Sequence, residues 1–226
     1  MKMIIQEALQ FLSELKRNNA RSWFAENKTR YDLIKKNHEL LIGNIIAEMA
    51  KFDEDLKYLT AKECLFRIYR DTRFSYDKTP YKIHIGAYMA PNGGRKSPKA
   101  GYYLHLEPDN SFISTGVWQP DPPVLKALRQ SIHDNIDEYK EITENPAFSS
   151  YYNILFEDGK LKTVPRGFDK NVSHAELLKL KHYSYAHLLT DDELKENDFS
   201  AYIADKFKIA YPFNSFINYT IDELTD

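Results

Sequence analysis

Basic, acidic and aromatic side chains are concentrated in residues 67–82 more densely than elsewhere in this sequence. A guanidinium group presents a planar fork that matches carboxylate and phosphate, and it keeps its charge when partly buried. Pro80 restricts the backbone ahead of it, so residues 75–80 are predicted to form a loop in which N–H and guanidinium groups converge. The stretch therefore indicates an anion-binding loop. Its basic residues are Arg67, Arg70, Arg73, Lys78 and Lys82.

A structural interpretation of the same stretch stays open beside the functional one. Asp71 and Asp77 are placed to hold neighbouring guanidinium groups. Arginines of this kind also pair with acids simply to tie helices to a sheet, with no chemistry at the spot. The sequence gives residue types but no geometry, so it does not decide between an anion site and a salt-bridge network.

Further residues are candidates for the same site. We expect His84, His105 and Arg166 to complete a pocket for a phosphorylated or carboxylated small molecule. Catalysis there would use a carboxylate as base and a tyrosine hydroxyl as proton donor. The sequence names no reaction, so enzymatic activity is left open. The candidate catalytic residues are Asp71, Asp77, Tyr81 and Tyr103.

Metal and cofactor motifs are missing from the sequence. None of the seven histidines has the His-x-x-x-His or Glu-x-x-His spacing of helical ligand sites. His84 and His105 could meet across neighbouring strands, but two histidines satisfied within a sheet is the ordinary outcome. No phosphate-binding glycine loop, dinucleotide fingerprint or nucleophile elbow is present. The sequence therefore predicts neither a metal nor a cofactor.

Charge is distributed unevenly along the chain. The formal net charge is −2, yet residues 62–105 carry nine Lys/Arg and three Asp/Glu, a local +6 that leaves −8 for the remainder. A near-neutral total gives no general attraction to duplex nucleic acid or to an anionic membrane. The asymmetry favours an anionic small molecule as partner. It does not predict the oligomeric state.

A second hypothesis comes from the aromatic residues, which make up 14% of the chain. Aromatic rings interleaved with basic groups on a sheet face are what base stacking uses. The alternative function is thus a non-catalytic module that binds single-stranded nucleic acid or an acidic protein. A concave pocket with convergent cations would favour the small molecule, and an open face with exposed tyrosine rings would favour the module.

Composition indicates an ordinary globular protein in a reducing compartment. The chain has 226 residues, of which 42% are hydrophobic, enough for a substantial core. Cys64 is the single cysteine, so no intramolecular disulfide can form, and its apolar surroundings predict a buried packing residue. No signal peptide and no membrane-spanning run is recognisable. We therefore expect a cytoplasmic protein.

Hydrophobic periodicity predicts a single α+β domain that is helical over 1–58, mainly β over 62–118 and mainly helical over 121–226. An antiparallel sheet of about four to six strands is flanked by N-terminal and C-terminal helices. Asp121 precedes two prolines as a helix N-cap, and Pro212 is predicted to open the last helix. The predicted helices are 4–16, 21–51, 124–136, 146–155, 174–180, 190–209 and 213–224. The predicted strands are 64–69, 82–89, 101–107, 112–117 and 183–188.

The pattern R-x-x-R-D-x-R-F-S-x-D-K-x-P-Y-K of residues 67–82 resembles the signature of a family of uncharacterised conserved hypothetical proteins, a domain of unknown function in bacteria with relatives in fungi. The similarity covers nearly the whole chain. One departure is Ser114-Thr115, where a further glycine is expected before Gly116. The resemblance implies no activity, because no functional residues are established for the family. Further matching segments are 11–12, 18–24, 27–28 with Tyr31, 101–106, 116–120, 165–168 and 178–181.

Overall fold

The computed structural model describes residues 2–224, which form nine α-helices, five β-strands and several short 3₁₀ turns. The helices are α1 (Lys2–Arg17), α2 (Arg21–Glu26), α3 (Lys28–Met49), α4 (Ala61–Cys64), α5 (Pro122–Asp134), α6 (Ile136–Thr143), α7 (Pro146–Tyr151), α8 (Ala175–Leu178) and α9 (Phe199–Asp222). The strands are β1 (Ile85–Met89), β2 (Gly101–Leu106), β3 (Phe112–Val117), β4 (Ile154–Leu155) and β5 (Tyr183–Leu188).

All five strands form one antiparallel sheet in the order β1-β2-β3-β5-β4. The first three form a meander, connected by residues 90–100 and by residues 107–111. Asn92 and Asp109 take positive φ values of 58° and 64° in these connections, a conformation that asparagine and aspartate tolerate better than most residues. The fold is therefore α+β, as the periodicity predicted.

One face of the sheet is packed by helices. Leu104 of β2 lies opposite Ile113 of β3, which lies opposite His187 of β5, so these three share that face. Helix α9 covers it: the rings of Tyr102 and Phe207 lie 5.2 Å apart. Helix α3 packs in turn on α9. The large hydrophobic core lies between these layers.

The other face of the sheet is left open by the helices. Because side chains alternate along a strand, the neighbours of the core residues point to this second face. They include His105, opposite Gly86 of β1 and Phe112 of β3. Within residues 2–224, no helix is long and apolar enough to cross a membrane.

The boundaries of two predicted helices differ in the structure. The helix predicted over 21–51 is interrupted at Asn27, which has φ −99° and ψ 12° and separates α2 from α3. Pro212 does not open a helix but lies inside α9. An internal proline costs about 3 kcal/mol, and the buried residues of α9 on both sides, among them Phe207 and Phe213, keep the helix continuous.

Three other predicted elements are also wrong in part. Residues 64–69 form no strand, because Cys64 ends α4 and only Leu65 and Tyr69 make isolated bridges. The helix predicted over 146–155 ends at Tyr151, and the following residues form β4. The helix predicted from residue 190 is only a 3₁₀ turn, and α9 begins later, at Phe199.

Cys64 is fully buried at the end of α4. Its burial raises the pKa of the thiol to about 12, so the thiolate that reacts as a nucleophile is disfavoured. The prediction of a packing residue is confirmed.

Candidate functional site

A cavity of about 710 Å³ lies over the open face of the sheet. Its floor is formed by side chains of β1, β2 and β3, and its walls come from the loops at the two ends of the strands. A volume of this size suits a small organic ligand. The floor and wall residues used below are Phe66, Lys82, His84, Arg95, Lys96, Tyr103, His105 and Phe112.

A hydrogen-bonded row of three side chains lies along β2 and the residue that follows it. Tyr103, His105 and Glu107 alternate along the chain and so point to the same face. The hydroxyl of Tyr103 lies 2.9 Å from Nδ1 of His105, and Nε2 of His105 lies 3.0 Å from Oε2 of Glu107. The imidazole also stacks on Phe112 with ring centroids 4.5 Å apart. Both nitrogens of His105 are thereby held in a fixed orientation.

A neutral imidazole at His105 satisfies both hydrogen bonds of the row. Burial lowers the pKa of His105 although the hydrogen bond and charge of Glu107 act in the opposite direction. The contact with Glu107 has the length of an ion pair, but the buried position of His105 favours the neutral ring. In that tautomer the Tyr103 hydroxyl donates to Nδ1, and Nε2–H donates to the carboxylate. Burial alone would raise the pKa of Glu107, but the hydrogen bonds from Asn110 and His105 lower it on balance.

His84 lies beside this row, with its ring centroid 4.3 Å from that of His105. Burial, followed by the nearby His105 and Lys82, lowers the pKa of His84 to about 4. Among residues 2–224, no hydrogen-bond partner lies within reach of its ring nitrogens. The donor atoms of His84, His105 and Glu107 all lie within 4.8 Å of one another.

Gly86 makes room for the Tyr103 side chain. A Cβ at this position would lie 2.6 Å from the Tyr103 hydroxyl oxygen and 3.0 Å from its ring. Such a contact would push the hydroxyl away from His105. The glycine of β1 is therefore part of what positions the row on β2.

Lys82 brings a cation to the edge of the cavity. Its side chain is partly buried, and its ammonium lies 5.5 Å from the ring centroid of Phe66. Burial, with the nearby charge of Arg67, lowers the pKa of Lys82. No carboxylate pairs with this ammonium anywhere in the described part of the chain. Partly desolvated cations without a counter-ion are costly.

A basic groove of about 790 Å³ adjoins the cavity and shares Phe66, Lys82, Arg95 and Lys96 with it. Only two acids line the groove: Asp32 pairs with Lys28, and Glu39 lies 3.8 Å from Lys62. The remaining cations have no ion pair within residues 2–224, and three of them lie where the groove and the cavity adjoin. These unpaired cations are Lys35, Arg67, Lys82, Arg95 and Lys96.

The structure brings some of the sequence-predicted binding residues together. Lys82, His84 and His105 line the cavity, and Arg67 lines the groove beside Lys82. Arg166 is exposed and lines neither the cavity nor the groove.

The other basic residues of the predicted loop bond within the loop itself. Arg70 donates to Asp77 and Thr79, and its side chain is 27% exposed. Arg73 donates to Asp71 at 2.7 Å, and Lys78 donates to a backbone carbonyl of the loop at 2.9 Å. These contacts satisfy the loop locally, and neither arginine is buried in a salt bridge to another element.

Of the candidate catalytic residues, Tyr103 lines the cavity. Asp71 and Asp77 hold the arginines of their own exposed loop. Tyr81 is buried and stacks on Phe24 with ring centroids 4.0 Å apart. Its backbone is fixed by the side chain of Asn19, which accepts from its N–H at 3.1 Å and donates to its C=O at 2.9 Å.

Sequence reasoning missed Glu107 and three of the unpaired cations of the groove, Lys35, Arg95 and Lys96. Glu107 could have been found, because Tyr103, His105 and Glu107 follow each other at every second position of a predicted strand. Lys35 could not, since nothing in the sequence of α3 tells which of its faces meets residues 62–67. Arg95 and Lys96 lie in the connection between β1 and β2, and the sequence does not show that this connection becomes a wall of the site.

Comparison with known proteins identifies the family. The model of the family described as conserved hypothetical protein (DUF2461) matches residues 7–216. A search of the curated proteins gives no significant match, and a search of the solved structures also gives none. The chain belongs to this family of conserved hypothetical proteins, in agreement with the resemblance seen in its sequence.

Proposed function

We propose that this member of the conserved hypothetical protein (DUF2461) family binds an anionic small molecule, carrying a carboxylate or a phosphate, in the cavity over the open face of the sheet. The observation that carries the proposal is Lys82, a partly buried cation that lacks a carboxylate partner within residues 2–224. A bound anion would supply that counter-ion. The aromatic and histidine floor would hold the rest of the ligand.

The surroundings of Lys82 support an anion in particular. Arg95 and Lys96 stand at the boundary between cavity and groove, so they add positive potential where the ligand enters. Arg95 is oriented by donating to the carbonyls of Lys62 and Glu63 at 2.9 and 2.8 Å. Cations that line a concave surface raise the local concentration of anions and steer them inward.

The apolar lining gives the ligand a second property. Phe66, Phe112 and Trp118 line the same cavity as Lys82. A site with a few convergent polar groups among aromatic side chains suits a small organic molecule better than a bare inorganic ion. We therefore expect organic phosphates or dicarboxylates to bind more tightly than phosphate or sulfate.

The test is a thermal-shift screen of metal-free, tag-free protein at constant ionic strength. The probes are phosphate, sulfate, succinate, sugar phosphates and nucleotides. A ligand present at a hundred times its dissociation constant stabilises by about 2.7 kcal/mol. We expect at least one organic anion to stabilise the wild type and to lose this effect in Lys82→Met. Lys208→Met is the matched control, because Lys208 is an exposed residue of α9 on the other side of the sheet.

Two results would contradict the proposal. One is that no anion of the panel stabilises the wild type. The other is that the stabilising anion acts equally on Lys82→Met and on the wild type. If Lys208→Met lost the response as well, the effect would be one of net charge and not of the cavity.

A second candidate function, binding of single-stranded nucleic acid, is favoured by a different observation. Phe74 and Tyr76 are fully exposed on the 71–79 loop, and the guanidinium of Arg73 lies 5.9 Å from the ring centroid of Phe74. Exposed rings beside cations provide stacking platforms for bases. The same screen with a short oligothymidylate tests it. A shift that fades with salt, survives in Lys82→Met and disappears in Phe74→Ser/Tyr76→Ser would favour this function over the small molecule.

A further inference from the structure

We infer that His84, His105 and Glu107 form a binding site for a divalent transition-metal ion on the floor of the cavity. In the described part of the chain, they are the group of three His, Cys, Asp or Glu residues whose donor atoms lie within 4.8 Å of one another. The inference depends on these three side chains and not on the anion proposed above.

The distances permit a shared ion after a small movement. Nε2 of His105 and Oε2 of Glu107 already lie 3.0 Å apart. Ligand bonds of about 2.0–2.1 Å in tetrahedral geometry place donor atoms about 3.3 Å apart. His84 therefore has to move inward by about 1.5 Å at most, and no hydrogen bond within residues 2–224 holds its ring back.

The partner of His105 on its other side fits a metal ligand. If Nε2 binds the ion, Nδ1 carries the proton and donates it to the Tyr103 oxygen, 2.9 Å away. Histidines that bind metals usually donate their other N–H in this way, which fixes the ring and its tautomer. Asn110 similarly holds Glu107, donating to Oε2 at 3.0 Å. Both ligands are thus oriented before an ion arrives.

The ligand set indicates the class of ion. Two imidazoles and one carboxylate suit zinc or ferrous iron, whereas magnesium and calcium prefer oxygen ligands. Three protein ligands leave at least one coordination position unfilled, and two of the ligands, His84 and His105, line the cavity. This is the arrangement of a catalytic or substrate-binding ion, because structural zinc sites have four protein ligands.

Two other histidine clusters lack these properties. Ring nitrogens of His133 and His174 lie 2.9 Å apart, and within residues 2–224 no carboxylate completes a group of three with them. His187 contacts Glu193, but that carboxylate also accepts hydrogen bonds from Tyr151 and Tyr202. An ion at either place would find too few available ligands.

The experiment is a titration of tag-free, chelator-treated and re-purified protein with Zn²⁺, followed by calorimetry. Co²⁺ is titrated in parallel and its visible absorption is recorded, since this spectrum reports the coordination geometry. The variants are Glu107→Gln, His84→Phe and Tyr103→Phe. His133→Gln is the matched control because it removes a histidine from the other pair. No anion of the earlier screen is present, so failure here and failure of the proposed function are distinguishable.

We expect one ion per chain. Loss of a ligand in Glu107→Gln or His84→Phe should weaken Zn²⁺ binding about 100-fold or more, and Tyr103→Phe about 10-fold, by analogy with the outer partners of known sites. His133→Gln should bind as the wild type does. Should Glu107→Gln fail to fold, His84→Phe decides, since His84 makes no hydrogen bond within residues 2–224. Unchanged binding in His84→Phe, loss of binding in His133→Gln alone, or no 1:1 binding by the wild type would overturn the inference.

Discussion

Two clusters of tyrosine, histidine and glutamate lie on opposite faces of the same sheet. On the open face, Tyr103 and His105 of β2 and Glu107 just after it form a row, with His84 beside them. On the face packed by helices, His187 of β5 meets Glu193, Tyr151 and Tyr202. We call the first the open cluster and the second the closed cluster. The residue types are the same, and the environments differ.

The closed cluster is saturated with hydrogen bonds. Glu193 accepts from the hydroxyls of Tyr202 at 2.7 Å and Tyr151 at 3.0 Å, from the N–H of Thr190 at 2.7 Å, and from His187. Nδ1 of His187 lies 3.0 Å from the carbonyl of Tyr151. Every group therefore has a protein partner, and the cluster joins β5 to α7 and α9.

The open cluster is not saturated with hydrogen bonds or ion pairs. His84 has no hydrogen bond within residues 2–224, and the Lys82 ammonium nearby has no acid partner there. Both border a cavity large enough for a small molecule. The comparison teaches that residue type does not separate a structural cluster from a binding site, whereas the degree to which the protein satisfies the groups does.

The largest expected effect on stability belongs to the closed cluster. Glu193→Gln removes the charge that accepts several hydrogen bonds, and we expect it to lower the free energy of unfolding by about 2 kcal/mol. Glu107→Gln should lower it by less than about 1 kcal/mol, because that carboxylate has fewer donors. Urea denaturation at neutral pH measures both. Equal losses would show that the two clusters do not differ as described.

The pH dependence of folding stability tests the same difference between the two clusters. Burial alone would raise the pKa of Glu193, but the hydrogen bonds from Thr190, Tyr202 and His187 lower it to about 2, from an ordinary value of 4.5. The folded-state pKa is depressed, so this stabilisation is present above pH 4.5 and is lost as the pH falls towards 2. The stability difference between wild type and Glu193→Gln should therefore shrink between pH 7 and pH 3. A constant difference would contradict the assignment.

An added methyl group at Gly86 tests the open cluster without removing a polar group. Gly86→Ala should displace the Tyr103 hydroxyl from His105 and cost about 1 kcal/mol. Gly43→Ala in α3 is the matched control, since nothing lies within 4 Å of a Cβ there. That substitution should stabilise by about 0.5–1 kcal/mol. Urea midpoints measure both, and an unperturbed Gly86→Ala variant would mean that Tyr103 is not held as tightly as its contacts indicate.

Lys82→Met should leave stability unchanged or raise it by up to about 1 kcal/mol. The reason is that a partly buried cation with no acid partner in the described structure costs desolvation energy, which its contact with the Phe66 ring offsets only in part. A clear loss of stability, measured by urea denaturation without ligand, would mean that Lys82 has a structural role.

The smallest effect is expected for the arginine loop. Arg70 and Asp77 pair within an exposed segment, and such surface pairs contribute little to folding. Arg70→Met should shift the urea midpoint less than Gly86→Ala does. A shift as large as that of Glu193→Gln would instead make the arginines of residues 67–82 determinants of the fold.

The sequence predicted the elements whose patterns are local. The alternation in β2, β3 and β5 and the turn residues between the strands were sufficient for an α+β fold with an antiparallel sheet. Elements that tertiary contacts decide were not predictable. Pro212 lies inside α9 because helix packing outweighs its cost. Residues 65–69 make only two isolated bridges, from Leu65 to Ala87 of β1 and from Tyr69 to Tyr81.

The candidate site could be predicted from the sequence only in part, for the same reason. Local charge density pointed to residues 67–82, and Lys82, His84 and His105 meet at the cavity. Arg70 and Arg73 instead find acids a few residues away, which spacing alone does not reveal. The contribution of Lys35 depends on how α3 docks beside residues 62–67, a contact between distant segments.

We propose that ligands bind at the open cluster and not at the closed one. NMR spectra of ¹⁵N-labelled histidine side chains, recorded while succinate or a sugar phosphate is added to metal-free protein, test it directly. We expect the ring nitrogens of His84 and His105 to shift together along one binding curve while those of His187 stay fixed. Fixed resonances for His84 and His105, or an equal shift of His187, would contradict it.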